Sequence, residues 1–168
     1  DELVDVLRQE LTSAATERVR VIRARLGAVF LEHLEQPEDA LEEFRTLVFD
    51  DPSDTEATLS LTRISQQYAH LRDEVLRLLT PLHQTAERWG ELIELLLSGI
   101  NHESNSHDIV KTHMDVAEIC TSHLDDSEQA YAHYRTAFLA APTRLDILDR
   151  IEPLAAEIER FDDLEGLY

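Results

Sequence analysis

The chain is poor in the residues that cross-link or interrupt structure: one cysteine, four glycines, five prolines, one tryptophan and one lysine in 168 residues. A single cysteine excludes an intrachain disulfide framework and a multi-cysteine zinc site. So few glycines and prolines leave few turns, which argues against a many-stranded β fold. No apolar run reaches the length that spans a bilayer, so no transmembrane helix is expected. No basic segment followed by an apolar one suggests a signal peptide. Basic residues are also scarce. Fifteen Lys and Arg stand against 35 Asp and Glu, for a formal charge of −20. That balance works against sequence-independent nucleic-acid binding, which needs cations to neutralise phosphates, and against anionic membrane surfaces. The compartment stays open, with the cytoplasm favoured. The chain opens Asp1-Glu2-Leu3-Val4 without an initiator methionine, and the expectation is a piece of a longer protein.

What is present is a folded, helical composition. Hydrophobic residues make up 43% and charged residues 30%, enough apolar surface for a core at this length. The arginine-over-lysine bias suits a high-GC genome. The recurring period is that of a helix: Leu3, Val6, Leu7 and Leu11 share one stripe, as do Val19, Ile22, Leu26, Val29, Phe30 and His33, and Leu41, Phe44, Leu47 and Val48. The pattern predicts about ten helices, near 1–12, 14–34, 37–49, 54–70, 72–87, 90–100, 107–123, 127–140 and 144–160, with another starting at 162. Pro52 and Pro142 stop helices. Ser53 or Asp54 can cap the next one, and Ser106 is a candidate cap further on. Pro37 fits a first turn. Pro81 and Pro153 fall inside helical patterns and predict a kink or restart. The stretch 54–88 reads as two helices or one long bent one.

An internal repeat organises these helices. His33-Leu34-Glu35-Gln36-Pro37-Glu38-Asp39-Ala40 matches His123-Leu124-Asp125-Asp126-Ser127-Glu128-Gln129-Ala130 without a gap at an offset of 90 residues, and the match runs on to Pro52 and Pro142. Further along, Pro81 pairs with Pro153 and Trp89 with Phe161 at an offset of 72. The difference of 18 is about one extra helix in the first unit, giving units of about 1–88 and 89–168.

These residues resemble the second helix of the tetratricopeptide repeat family. That helix carries a small residue, an aromatic four later and a proline eight beyond. Ala40, Phe44 and Pro52 fit, as do Ala130, Tyr134 and Pro142. Trp89-Gly90-Glu91-Leu92 and Phe161-Asp162-Asp163-Leu164 look like openings of such helices. In the first helix, where the family favours Trp, Leu, Gly and Tyr, the chain has Ala24, Gly27, Ala28 and Leu31, then Met114, Ala117, Glu118 and Thr121. The pattern is similar to the divergent repeats of long bacterial proteins. The resemblance implies an all-α fold, an αα-superhelical solenoid of antiparallel helices over 1–168. Its pairs stack because none can bury its stripe alone.

No constellation for chemistry is found. Gly27, Gly90, Gly99 and Gly166 are isolated, so no phosphate-cradling loop is expected. His102, His107 and His113 are five and six apart, off the three- or four-residue spacing of one helix face. His33 and His123 occupy equivalent repeat positions, which points to packing. Cys120 lies on an apolar stripe and reads as an inert thiol. Trp89, Phe44 and Tyr134 read as core. Acidic pairs such as Glu42-Glu43 and Asp162-Asp163 are too frequent to mark acid–base catalysis. No metal, cofactor or enzymatic activity is expected.

In the resembled family the first helix of each pair lines the concave face. The helix at 14–34 carries Arg18, Arg20, Arg23 and Arg25, with Arg18, Ile22 and Arg25 on one stripe. At the 90-residue offset lie Asp108, Thr112 and Asp115. One reading is a groove of mixed charge that takes a peptide or protein partner. The other is that the arginines pair with local acids such as Glu17 and Glu32. The expected role is an interaction scaffold or adaptor. A spacer or self-associating module is one alternative, and an all-α ligand sensor or enzyme is another.

Overall fold

A computed structural model describes residues 2–100 and 104–160, with all their side chains except those of Thr16 and Glu17. Every regular element among them is helical. The α-helices are α1 (Glu2–Ser13), α2 (Thr16–Glu32), α3 (Pro37–Asp50), α4 (Thr55–Gln67), α5 (Arg72–Thr85), α6 (Trp89–Leu97), α7 (Ser106–Ile119), α8 (Ser127–Ala140) and α9 (Leu145–Glu157). That makes nine α-helices among the described residues. The tenth expected helix, and the segment from Phe161 onward, lie outside them.

The helix boundaries follow local chemistry. Pro37 opens α3 in its first turn, beside Glu38 and Asp39, where its missing N–H removes nothing and acids suit the helix dipole. Asp54, Asn105 and Asp126 cap α4, α7 and α8, each accepting a hydrogen bond from the backbone N–H three residues on. Asn105 therefore takes the cap expected of Ser106. Both Pro81 and Pro153 lie inside continuous helices, so neither restarts the chain. The stretch 54–88 is two helices. The chain leaves helical geometry at Tyr68 and makes one 3₁₀ turn, Ala69–Leu71, before α5. No glycine or proline marks this break; burial of Leu71 in the turn holds it.

The chain divides into two compact units, Asp1–Leu82 and His83–Tyr168. In the first, α1 packs on α2, α2 on α3 and α3 on α4. The stripe Ile22, Leu26, Val29 and Phe30 of α2 is buried against Ala40, Leu41, Phe44, Leu47 and Val48 of α3, with Leu61 and Ile64 of α4 also fully enclosed. Gly27 sets the spacing here. A Cβ built on it would lie 2.7 Å from the tip of the Phe44 ring, so the aromatic packs onto bare helix backbone. In the second unit, α6 packs on α7, α7 on α8 and α8 on α9. Val116, Ala117, Ala130, Tyr134, Ala137, Ile147 and Ile151 form its core with Cys120.

The two units bury corresponding positions. Ala40, Leu41, Phe44, Leu47 and Val48 of α3 map at 90 residues onto Ala130, Tyr131, Tyr134, Ala137 and Phe138, all buried. The buried set of α4, Ala57, Thr58, Leu61, Ile64 and Ser65, maps in the same register onto Ile147, Leu148, Ile151, Leu154 and Ala155 of α9. The backbone repeats too. Glu35 and Asp125 both adopt left-handed φ, 53° and 51°, and a hydrogen bond six residues long closes each turn, Gln36 N–H to Phe30 O and Asp126 N–H to Cys120 O. The π-helical turn at Cys120–Leu124 is thus part of a helix-ending cap. The 72-residue register is equally real. Glu87 and Glu159 are left-handed at 54° and 57°, with matching bonds from Arg88 to His83 and Arg160 to Ala155. Val75 and Leu79 of α5 correspond to Ile147 and Ile151, all fully buried. So α9 begins like α4 and ends like α5. Both registers hold because 18 residues is about five helical turns.

Two outcomes follow. Gly27→Ala lowers stability by about 1–2 kcal/mol, the overpacking cost less the gain in helix propensity. Adding Phe44→Leu makes the alanine's own cost disappear, read as coupling in a double-mutant cycle by urea unfolding. Glu35→Gly raises stability by about 1 kcal/mol by removing a left-handed side chain, seen as a higher urea midpoint at unchanged slope.

Candidate functional site

The first unit carries an open cleft of about 780 Å³ between α2 and α4, over α3. Its floor is the Phe44 ring with Ala24, Ala28, Leu47 and Ala57. The floor is low because Ala24 and Ala28, one helical turn apart, project almost nothing. Two apolar side chains flank it in the open, Val21 at 65% exposure and Leu59 at 59%. Ser53, Thr55, Glu56, Ser60 and Arg63 complete the rim. Apolar side chains standing exposed beside small ones, ringed by polar groups, suit an inserted side chain of a partner.

One end of the cleft is fixed by Arg20. Its guanidinium reaches Asp51 at 3.1 Å and Asp54 at 2.9 Å, spanning the α3–α4 turn. Asp54 is 7% exposed; one oxygen takes the Ala57 N–H at 3.0 Å and the other the arginine. The Ser53 hydroxyl and N–H on Asp51, ahead of Arg20's charge, hold that carboxyl below its ordinary range. The turn is therefore preorganised: its acids are already occupied, and Arg20 is not a free cation.

The second unit has the same cleft in the same repeat positions, but it is narrower, at about 270 Å³. Lys111, Met114, Glu118, Tyr134, Arg144 and Arg150 line it where the first unit has Val21, Ala24, Ala28, Phe44, Asp54 and Ser60. Met114 and Glu118 occupy the places that two alanines leave open. An Arg144 nitrogen lies 3.8 Å from the Met114 sulfur, and the same guanidinium pairs with Asp146.

The residues singled out in the sequence fall in different places. Arg18 is paired with Glu10 of α1. Ile22 is buried in the core at 4% exposure, so it cannot line a groove. Arg25 is exposed and makes no ion pair among the described residues. Asp108 belongs to the cap of α7: its N–H donates to Asn105 and its carboxylate accepts from the Asn105 amide. Thr112 is buried. Of the six, only Asp115 lines a cleft, that of the second unit. Partial burial raises its pKa, with Lys111 pulling the other way. Three of the four α2 arginines make ion pairs within the first unit, Arg18 with Glu10, Arg20 with Asp51 and Asp54, and Arg23 with Glu43. Glu32 sits 3.9 Å from Arg63 instead. The Glu17 side chain, His102 and Asp162-Asp163 lie outside the described residues. His33 is exposed, and His123 is exposed too, stacked flat on the half-buried Trp89 ring at 3.7 Å. Burial pushes the Cys120 thiol up, with Asp126 adding to it.

Sequence reasoning missed Val21, Ala24, Ala28, Leu59 and Arg63 as one surface. The signal for it is the pair of alanines four apart beside an apolar residue outside the core stripe. Among the described residues, no group of three or more His, Cys, Asp or Glu could hold a metal ion, and no helix is long and apolar enough to cross a membrane. No protein-family model matches the chain, and no curated protein matches it significantly.

Asp54→Ala removes both the cap and the arginine's inner partner. It lowers stability by about 1–2 kcal/mol. Asp54→Asn keeps an acceptor for the Ala57 N–H and loses clearly less in the same urea titration.

Proposed function

We propose that this chain is a protein-interaction module of the scaffold or adaptor class, built of tetratricopeptide-like helix pairs. The cleft between α2 and α4 receives an extended segment of a partner protein, and no catalytic step is involved. The observation that carries this reading is the contrast between two equivalent clefts. In the second unit the repeat fills the position with its own Met114 and Glu118. In the first unit Ala24 and Ala28 leave it open between exposed Val21 and Leu59. A side chain from a partner can occupy what Met114 occupies in the other copy. The polar rim of Ser53, Thr55 and Ser60 can serve a partner's backbone. The small-aromatic-proline pattern of α3 and α8 supports the family resemblance on which the scaffold class rests.

The test is affinity capture from a lysate of the source organism with three baits. Leu59→Glu places a charge in the mouth of the cleft at an exposed position. Leu139→Glu does the same at an exposed position of the second unit, outside either cleft. A protein retained by the native chain and by Leu139→Glu, and lost about tenfold or more with Leu59→Glu, supports the cleft; such a loss corresponds to about 1.4 kcal/mol or more. Retention that ignores Leu59→Glu removes the cleft from the binding site.

A further inference from the structure

The two units use different chemistry at one equivalent position. In the first, Arg23 of α2 and Glu43 of α3 form an ion pair at 2.7 Å. The residues 90 positions on are His113 of α7 and His133 of α8. Their Nδ1 atoms are 2.8 Å apart and their rings are stacked with centroids 5.1 Å apart. Both rings are half-buried. Each pair joins equivalent helices, α2 to α3 and α7 to α8, so it bridges the two helices that pack most extensively in its unit.

We propose that the His113–His133 bridge is an acid-sensitive latch between α7 and α8, and that acidification through the histidine range loosens the second unit while leaving the α2–α3 pairing of the first intact.

The chemistry follows from counting protons. In the neutral pair one Nδ1 carries a hydrogen and donates it to the lone pair of the other. A first added proton goes to the far nitrogen, Nε2, of the donor ring, and the hydrogen bond survives. A second proton has only the acceptor Nδ1 to bind. It sets N–H against N–H at 2.8 Å and places two like charges in contact. The pair therefore titrates as a unit, in two steps, and the second step breaks the bridge. Burial lowers both imidazoles, and for His113 the neighbouring His133 adds to it. The sign is fixed by that direction. The unfolded chain binds protons more readily than the folded one, so stability is full above the ordinary histidine value and falls as pH drops below about 6.5.

The helices of the second unit carry Glu91 and Glu94 on α6, His107, Asp108, Lys111, Asp115 and Glu118 on α7, Glu128 and Arg135 on α8, and Asp146, Asp149, Arg150, Glu152 and Glu157 on α9, with Asp126 at the α8 cap. What shifts the two imidazoles is burial, joined at His113 by its neighbour His133. An arginine–glutamate pair, by contrast, keeps both charges through the range in which histidine titrates.

Amide hydrogen exchange on the whole chain, at about pH 7.5 and about pH 5 on either side of the ordinary histidine value, tests this segment by segment. After correction for intrinsic exchange, protection across α7 and α8 falls about tenfold more than across α2 and α3. The double variant His113→Arg/His133→Glu installs the first unit's pair and abolishes the difference. The reverse graft, Arg23→His/Glu43→His, extends the sensitivity to α2 and α3, so that both units then lose protection. Should either graft fail to fold, His133→Gln keeps a hydrogen-bonding group opposite His113 but removes the second proton, and it narrows the difference. Equal losses in both units of the native chain, no loss there, or an undiminished α7–α8 loss in the folded His113→Arg/His133→Glu or His133→Gln variant overturns the latch.

Discussion

The distance between α2 and α3 is set by an aromatic ring resting on backbone. Phe44 lies where a Cβ on Gly27 would be, and Tyr134 is paired in sequence register with the fully buried Ala117. Ala40 and Ala130, both without exposed surface, give the same closeness from the other side. Close-packed interiors tolerate little change in volume. Once these positions are small and the ring is fixed, the neighbouring stripes of leucine, isoleucine and valine have one phase in which they mesh. The cleft depends on the same constraint. Ala24 and Ala28 stand on the opposite side of α2 from its core stripe, and only a helix held this near α3 leaves the edge of the Phe44 ring as a floor.

Much of the fold was legible because the signals were local. Pro52, Pro142, Asp54 and Pro37 placed boundaries through backbone geometry and capping, which act within a few residues. Ala40, Phe44, Ala130 and Tyr134 marked the second helices through spacing alone. The break at Tyr68 was not legible, because it has no turn residue and rests on where Leu71 is buried. The helices expected over 72–87 and 144–160 already ran through Pro81 and Pro153, and α5 and α9 do so.

The stripe of Ile22 faces the core, and the neighbouring stripe of Val21 faces the cleft. Neighbouring residues lie about 100° apart around a helix, so choosing the stripe of Ile22 rather than that of Val21 turned the predicted groove from solvent into the core. The arginines were misleading for a related reason. Charge density on α2 was visible, but the partners of Arg18, Arg20 and Arg23 come from α1, the α3–α4 turn and α3, and only the fold brings them together. The two units keep the same buried positions and differ in their bridging and capping groups: Asp54 against Arg144, Arg23 against His113, Glu43 against His133. Packing restricts the first set through volume, whereas bridging pairs can be exchanged whole.

The double register of α9 carries a rule about length. A segment of 18 residues returns a helix to the same angular phase, so gaining or losing such a segment leaves every inward-facing position still facing inward. The first unit uses two helices, α4 and α5, where the second makes do with one that starts as the former and finishes as the latter. A chain built this way can change its number of helices by whole steps without redesigning its interior. Only the turn between them has to be invented, and here that turn is the three residues Ala69–Leu71.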